Sequence, residues 1–225
     1  MTTPDLFSTD QTITRKAPRR KPVRAFAGEQ AAHVLDKAQF GKGVEIMGFT
    51  KGQFSFVDLI QAVLQKTGPA NLTLSTWAAS VADLGRISLF YNDGMIVSPR
   101  FLLDGAFESY NKESAIQLRE KFGDEAIRIV PNHSKFAIIR NDDWAVTIQT
   151  SMNLNQNKRL ESFSLTECPD FCEAYSEIVG EIWGLQKAGA GFGPTGYRAS
   201  SNTLGKLGEG RTSSFFDVTP GSMLL

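Results

Sequence analysis

His133 and Lys135 stand two residues apart, and Ser151 and Asn153 repeat that spacing further along the chain. In an extended strand, residues i and i+2 point to the same face. Paired strands carrying both spacings would gather an imidazole, an ammonium, a hydroxyl and a carboxamide on one face. Such a set suits a phosphodiester, whose negative charge grows over its equatorial oxygens during displacement and must be met by donors already in place. Lys135 would supply charge, while Ser151 and Asn153 supply hydrogen bonds. A neutral His133 could serve as nucleophile, forming a phosphorus–nitrogen bond, or as the acid that protonates a leaving oxygen. That arrangement requires no metal ion and no other cofactor.

The segment from Asn132 to Glu161, NHSKFAIIRNDDWAVTIQTSMNLNQNKRLE, resembles the signature of the phospholipase D superfamily: His-x-Lys, four residues, Asp, then Gly-Ser-x-Asn. His133-Ser134-Lys135 matches the first part, and Thr150-Ser151-Met152-Asn153 matches the last with Thr in place of Gly. The chain is most similar to the small, single-motif members, which are bacterial and phage-type nucleases. The resemblance covers Val44 to Lys187 and is specific from His133 to Glu161. It departs from the family at Arg140, which stands where the aspartate is expected, with acidic residues arriving slightly late as Asp142 and Asp143. The interval up to Thr150 is also longer than the family spacing. Arg140 to Trp144 therefore reads as a lengthened hairpin turn, for which Asn and Asp are suited. Either aspartate could stand in for the missing acid, or the site does without one.

The resemblance implies more than the ligand set. A glutamate after the asparagine helps orient the catalytic histidine by accepting a hydrogen bond from its ring, and Glu161 is the candidate; such an acceptor fixes the tautomer and stabilises the imidazolium. The family chemistry uses two histidines, and this chain supplies one such motif. The family solution is a homodimer about a two-fold axis. His133 of one chain would attack phosphorus, His133 of the other would protonate the leaving group, and Lys135, Ser151 and Asn153 from both would clamp the phosphate.

These residues need a scaffold, and the apolar spacing describes one. Helical periodicity covers Glu29–Phe40, Phe54–Lys66, Val81–Tyr91, Lys112–Phe122 and Phe171–Gln186, with Gly68-Pro69 and Gly123 as stops. Strand-like runs cover Val44–Phe49, Asn71–Trp77, Met95–Leu103 and Ala126–Val130, followed by a hairpin of Phe136–Ile139 and Trp144–Ile148. Alternating helices and strands imply a sheet covered on both faces, which the hairpin makes mixed. The expected fold is an α/β/α sandwich of phospholipase D type, with the site at strand ends near one edge of the sheet. His33 reads as a surface or packing residue of the first helix.

The chain has 225 residues, which suits one domain with tails, and its 24 Lys and Arg balance 24 Asp and Glu. The charge is unevenly placed. Residues 15–24, RKAPRRKPVR, hold six basic residues, no acidic one and two prolines. A stretch so charged and so poor in apolar side chains is expected to be disordered. We read 1–28 as a basic arm, 29–187 as the folded domain and 188–225 as a flexible Gly- and Ser-rich tail. Arg15, Lys16, Arg19, Arg20, Lys21 and Arg24 suit a polyanion through counterion release, the alternative being a solubilising leader. The terminal SFFDVTPGSMLL, with Phe215, Phe216, Met223, Leu224 and Leu225, could dock a protein partner or be incidental. The AGAGFG run lacks the flanking pattern of a phosphate loop. Cys168 and Cys172 read as reduced and structural.

No apolar run has the length of a signal-peptide core or a bilayer span, so no membrane partner and a cytoplasmic location are expected. DNA, or RNA, is favoured over lipid as substrate because of the basic arm. The leading expectation is a metal-independent endonuclease working through a phosphohistidine. One rival is a protein that keeps the pocket and holds DNA in a phage or mobile-element complex without cutting it. Another is a phosphodiesterase for small molecules or phospholipids.

Overall fold

The computed structural model describes residues 19–24, 30–155, 158–193 and 196–207. Its strands are β1 (Arg19–Arg24), β2 (Val44–Thr50), β3 (Ala70–Thr76), β4 (Ile96–Asp104), β5 (Ile127–Val130), β6 (Phe136–Arg140), β7 (Ala145–Thr150) and β8 (Glu161–Glu167). They form a single eight-stranded sheet in the order β1-β2-β8-β7-β6-β3-β4-β5. β1 and β2 are parallel, as are β3, β4 and β5; β8, β7 and β6 are joined to each other and to their flanks by antiparallel ladders. The sheet is therefore mixed, as the hairpin requires.

Helices α1 (Ala31–Lys37), α2 (Phe56–Thr67), α3 (Val81–Asn92), α4 (Phe107–Tyr110), α5 (Lys112–Phe122), α6 (Pro169–Leu185) and α7 (Gly196–Gly205) cover it. Along β4, β5, β6 and β7, alternate residues feed two separate cores. Leu72, Leu74, Phe101, Leu103, Ala137, Ile139, Val146 and Ile148 pack with α1, α2, α3 and α5, while Leu102, Val130, Phe136, Ile138 and Ala145 pack with Cys172, Val179 and Ile182 of α6. This division by parity is the signature of a sheet buried on both faces, and it makes the fold an α/β/α sandwich. The burial of Cys172 pushes its thiol pKa up, as befits a packing residue.

Local chemistry starts and stops these elements. Ser55 caps α2 by accepting the N–H of Asp58, whose carboxylate accepts the N–H of Ser55 at 2.6 Å. Gly68, at φ 74°, ends that helix before Pro69 turns the chain into β3. In the β6–β7 turn, the Asn141 carbonyl side chain accepts the N–H groups of Asp143 and Trp144, and its amide donates to Thr67 and Pro69, hooking the hairpin to the end of α2.

Several expectations are corrected. Arg19–Arg24, expected to lie in a disordered arm, pairs in parallel with β2 along its whole length. The Gly- and Ser-rich segment expected as a flexible tail contributes α7 and a packed turn. Gln186 explains why that turn is held: its side-chain amide accepts the N–H of Ile129 at 2.8 Å and donates to the Ile129 carbonyl at 2.6 Å, as a neighbouring strand would, and it also donates to Thr203. The free edge of β5 is thereby covered. Gly191 approaches so closely that a Cβ there would lie 2.1 Å from Ile129, so its glycine is a packing requirement. β8 was not foreseen as a strand. Because β7 and β6 occupy the fourth and fifth places of the eight-stranded order, the motif lies over the middle of the sheet and not near its edge. Arg15, Lys16 and the apolar C-terminal peptide lie outside the described residues.

Candidate functional site

The motif gathers where chain direction dictates. β2, β3, β4, β5 and β7 end, and β6 and β8 begin, along one end of the sheet. In open α/β sheets the crevice beyond the carboxyl ends of the strands is the usual ligand position. His133 and Lys135 immediately precede β6, and Ser151 and Asn153 immediately follow β7. The backbone N–H of Thr150 donates to the Lys135 carbonyl at 3.1 Å, so the two halves meet just past the last rung of the hairpin. The residues lie beyond the pleated ladder, and loop anchoring, in place of strand periodicity, sets their positions.

The anchor of the His133 loop is Asn132. It is buried, and its amide donates to Ser75 Oγ at 3.0 Å and to the Leu102 carbonyl at 3.2 Å. Its carbonyl oxygen accepts the Ser134 N–H and hydroxyl, at 3.0 and 2.6 Å. Ser75 Oγ donates to the Ser134 carbonyl, and Asp104 accepts the Asn132 N–H at 2.9 Å. Two strands, β3 and β4, thus fix the residues on both sides of His133. Sequence reasoning passed over Asn132, although its place directly before the histidine was the available signal.

Within this frame the Lys135 ammonium donates to the His133 carbonyl at 2.7 Å and lies 3.4 Å from His133 Nδ1. An ammonium donating to Nδ1 makes that nitrogen the acceptor and places the proton of a neutral imidazole on Nε2. Partial burial pulls the Lys135 pKa below the ordinary lysine value, and the negative charges of Glu161 and Asp104 offset part of that pull. A less well solvated ammonium is a stronger partner for an incoming phosphate.

Asn153 is positioned by its neighbour. Leu154 donates its N–H to the Ala78 carbonyl at 3.0 Å and to Thr76 Oγ1, while its carbonyl accepts the Ser80 N–H at 2.8 Å. The Asn153 carboxamide oxygen is buried with no hydrogen-bond partner, and its Nδ2 group donates to no described residue. A buried acceptor left unpaired costs free energy, and in the same carboxamide it is Nδ2, not this oxygen, that could donate to a phosphate.

Ser151 and Glu161 form a unit of their own. The Ser151 hydroxyl donates to the Glu161 carboxylate and accepts the Ser162 N–H at 3.0 Å, and its backbone N–H donates to Ser162. Both donors of Ser151 are spent on the start of β8. The structure therefore brings Glu161 to Ser151 and, by charge, toward Lys135, whereas its hydrogen bond is not to His133. The open charge and donors belong to Lys135 and Asn153.

Arg140 is at the other end of β6, five residues from Lys135 and about 17 Å away at the rise of a strand. It pairs with Glu173 of α6. Asp142 and Asp143 sit in the turn at that same far end, so neither reaches the site. Aromatic rings line the near end instead. The Trp77 ring centroid is 6.3 Å from that of His133 and 5.9 Å from that of Tyr110. A recess between α1 and α2, lined by Gln53, Asp58 and Gln61, lies elsewhere, and its Asp58 is committed to Ser55 and Arg86. Among the described residues, no helix is long and apolar enough to cross a membrane.

No family model matches the chain, and no curated protein matches it. Among solved structures, it is similar to the crystal structure of polyphosphate kinase from Porphyromonas gingivalis, with a TM-score of 0.46 and 13% sequence identity. That match covers 66% of this chain and 27% of the other, so the chain spans about a quarter of that protein's length.

Proposed function

We propose that this chain is a phosphodiesterase of phospholipase D type, acting as an endonuclease on DNA from a site shared by two copies of the chain. The observation that carries the reading is the adjacency of His133 and Lys135, 3.4 Å apart at the rim of the sheet, with Asn153 on the loop that follows β7 beside them. Lys135 and Asn153 hold the phosphate oxygens. When the Lys135 ammonium turns from Nδ1 to the phosphate and the ring proton sits on Nδ1, His133 Nε2 attacks phosphorus, forming the P–N bond as the P–O bond to the leaving oxygen breaks, and His133 of the second copy gives that oxygen its proton. The same imidazole, now neutral, takes a proton from water, whose oxygen attacks phosphorus and breaks the P–N bond. Ser151 and Glu161 brace the start of β8 and keep a negative charge beside Lys135. The donors meet phosphate and not base edges, so sequence specificity is modest.

The basic run of residues 15–24, of which Arg19–Arg24 form β1, supports a nucleic-acid substrate, through phosphate contacts that weaken with salt. Cleavage of supercoiled plasmid and single-stranded DNA in excess EDTA tests the reading. Wild type is expected to cut and His133→Ala to be inert. A second reading, a protein that holds DNA without cutting it, is favoured by the pairing of Glu161 with Ser151, which leaves the imidazole without its orienting acceptor. Salt-sensitive DNA binding with no cutting by wild type would select it.

A further inference from the structure

Tyr110 ends α4 with 73% of its surface exposed, a high value for a large aromatic that takes part in packing. Its only described ring neighbour is Trp77, which is half-buried and in turn meets His133. The three rings form a run of 5.9 and 6.3 Å steps leading away from Lys135. Their planes are tilted, by 38° between Tyr110 and Trp77 and by 57° between Trp77 and His133, so no ring is covered face to face by the next. Aromatic pairs gain from offset or edge contact, but an uncovered face next to a charged site remains free to stack on a planar ligand.

Resting on the phosphodiesterase reading above, we infer that Tyr110 and Trp77 form a stacking platform for the nucleobase that flanks the phosphate held at His133 and Lys135, and that the substrate is therefore single-stranded nucleic acid. In a duplex each base face is already covered by its neighbours, and only an unstacked base can lie on a protein ring. Stacking accepts every base, in agreement with a site whose other contacts read phosphate. A lipid headgroup offers a phosphate but no planar group to engage the platform.

The test compares binding of two labelled oligomers of equal length, oligothymidylate and its abasic backbone, by fluorescence anisotropy in EDTA. The full-length His133→Ala protein serves as parent so that neither oligomer is cut. The parent is expected to bind oligothymidylate about tenfold more tightly than the abasic backbone, equivalent to about 1.4 kcal/mol and within the range for one stacked base. Adding Tyr110→Ala should abolish most of that ratio while leaving abasic binding unchanged, and Tyr110→Phe should restore it. Equal binding of both oligomers by the parent, or a ratio indifferent to Tyr110→Ala, overturns the platform while the phosphate site stands. Binding of neither oligomer overturns both. Binding to phosphatidylglycerol vesicles that is lost on Tyr110→Ala, without oligomer binding, assigns the rings to lipid and also overturns the inference.

Discussion

The Asn132 side chain bridges Ser75 and Ser134, donating to the first at 3.0 Å and accepting from the second at 2.6 Å, and so ties the His133 loop to β3. Replacing it with alanine would take a donor from the buried Leu102 carbonyl and Ser75 hydroxyl and remove the acceptor of the Ser134 N–H. Asn132→Ala is expected to destabilise the protein by about 2–3 kcal/mol, the scale of buried groups deprived of partners. Urea unfolding measures this. A loss below about 0.5 kcal/mol, the range of ordinary surface substitutions, would show that the loop is held by other means.

Lys135 pays for its position with solvation. Its folded-state pKa is lowered, so the folded protein binds its proton less readily than the unfolded chain does. The resulting cost is fully present below the folded pKa and is relieved as pH rises through the window up to the model lysine value of 10.5. Lys135→Met should therefore melt no lower than wild type at neutral pH, with the difference narrowing as pH enters that window. Activity should fall by about a hundredfold or more, as for loss of a preorganised donor to developing charge. In wild type, the alkaline loss of activity should set in below the ordinary lysine range. A mutant that melts well below wild type would contradict the argument from burial.

The elements were legible where periodicity and punctuation agreed. Phe56, Leu59, Ile60, Val63 and Leu64 bounded by Ser55 and Gly68 could be read as a helix because each signal has a local cause. β8 was not legible, since ESFSLTE alternates weakly and is a strand only because β2 and β7 flank it on both sides. The same holds for α7 and Arg19–Arg24, whose composition argues against order and whose placement depends on partners distant in sequence. At the site, the residues of the HxK and SxN spacings come together at one end of the sheet, but the shared-face argument does not explain their meeting. Hydrogen bonds from Asn132 and Leu154 do, and such tertiary anchors leave no periodic trace.

Arg140 stands where the family resemblance expects an acid, yet it lies at the far end of β6 in an ion pair with Glu173. Restoring the acid should accordingly have no catalytic benefit. Arg140→Asp is expected to leave cleavage within about twofold of wild type. Replacing an attractive exposed pair by a repulsive one should cost up to about 1 kcal/mol, the scale of exposed ion pairs. Parallel rate and unfolding measurements separate the two effects. A large gain in rate would mean that the acid acts at a distance the present geometry does not provide.

A shared site needs a surface by which two copies meet, and the open part of the sheet offers one. Phe49 and Met47 on β2 are 57% and 50% exposed and lie opposite Ser162 and Ser164 of β8, on the face that α6 leaves uncovered. Thr50, the next residue, pairs with Glu161, so this patch adjoins the candidate site. A two-fold contact there would bury each side chain twice per dimer, once from each copy. Burial of a phenylalanine contributes about 1.5–3 kcal/mol. Phe49→Asp, which also introduces a charge onto the patch, should therefore weaken dimerisation by at least about a hundredfold. Size-exclusion chromatography with light scattering should find wild type dimeric at micromolar concentration and the mutant monomeric, with DNA cleavage lost in step. A wild-type monomer that still cuts DNA would defeat the shared site, because one chain would then be supplying both the nucleophile and the acid.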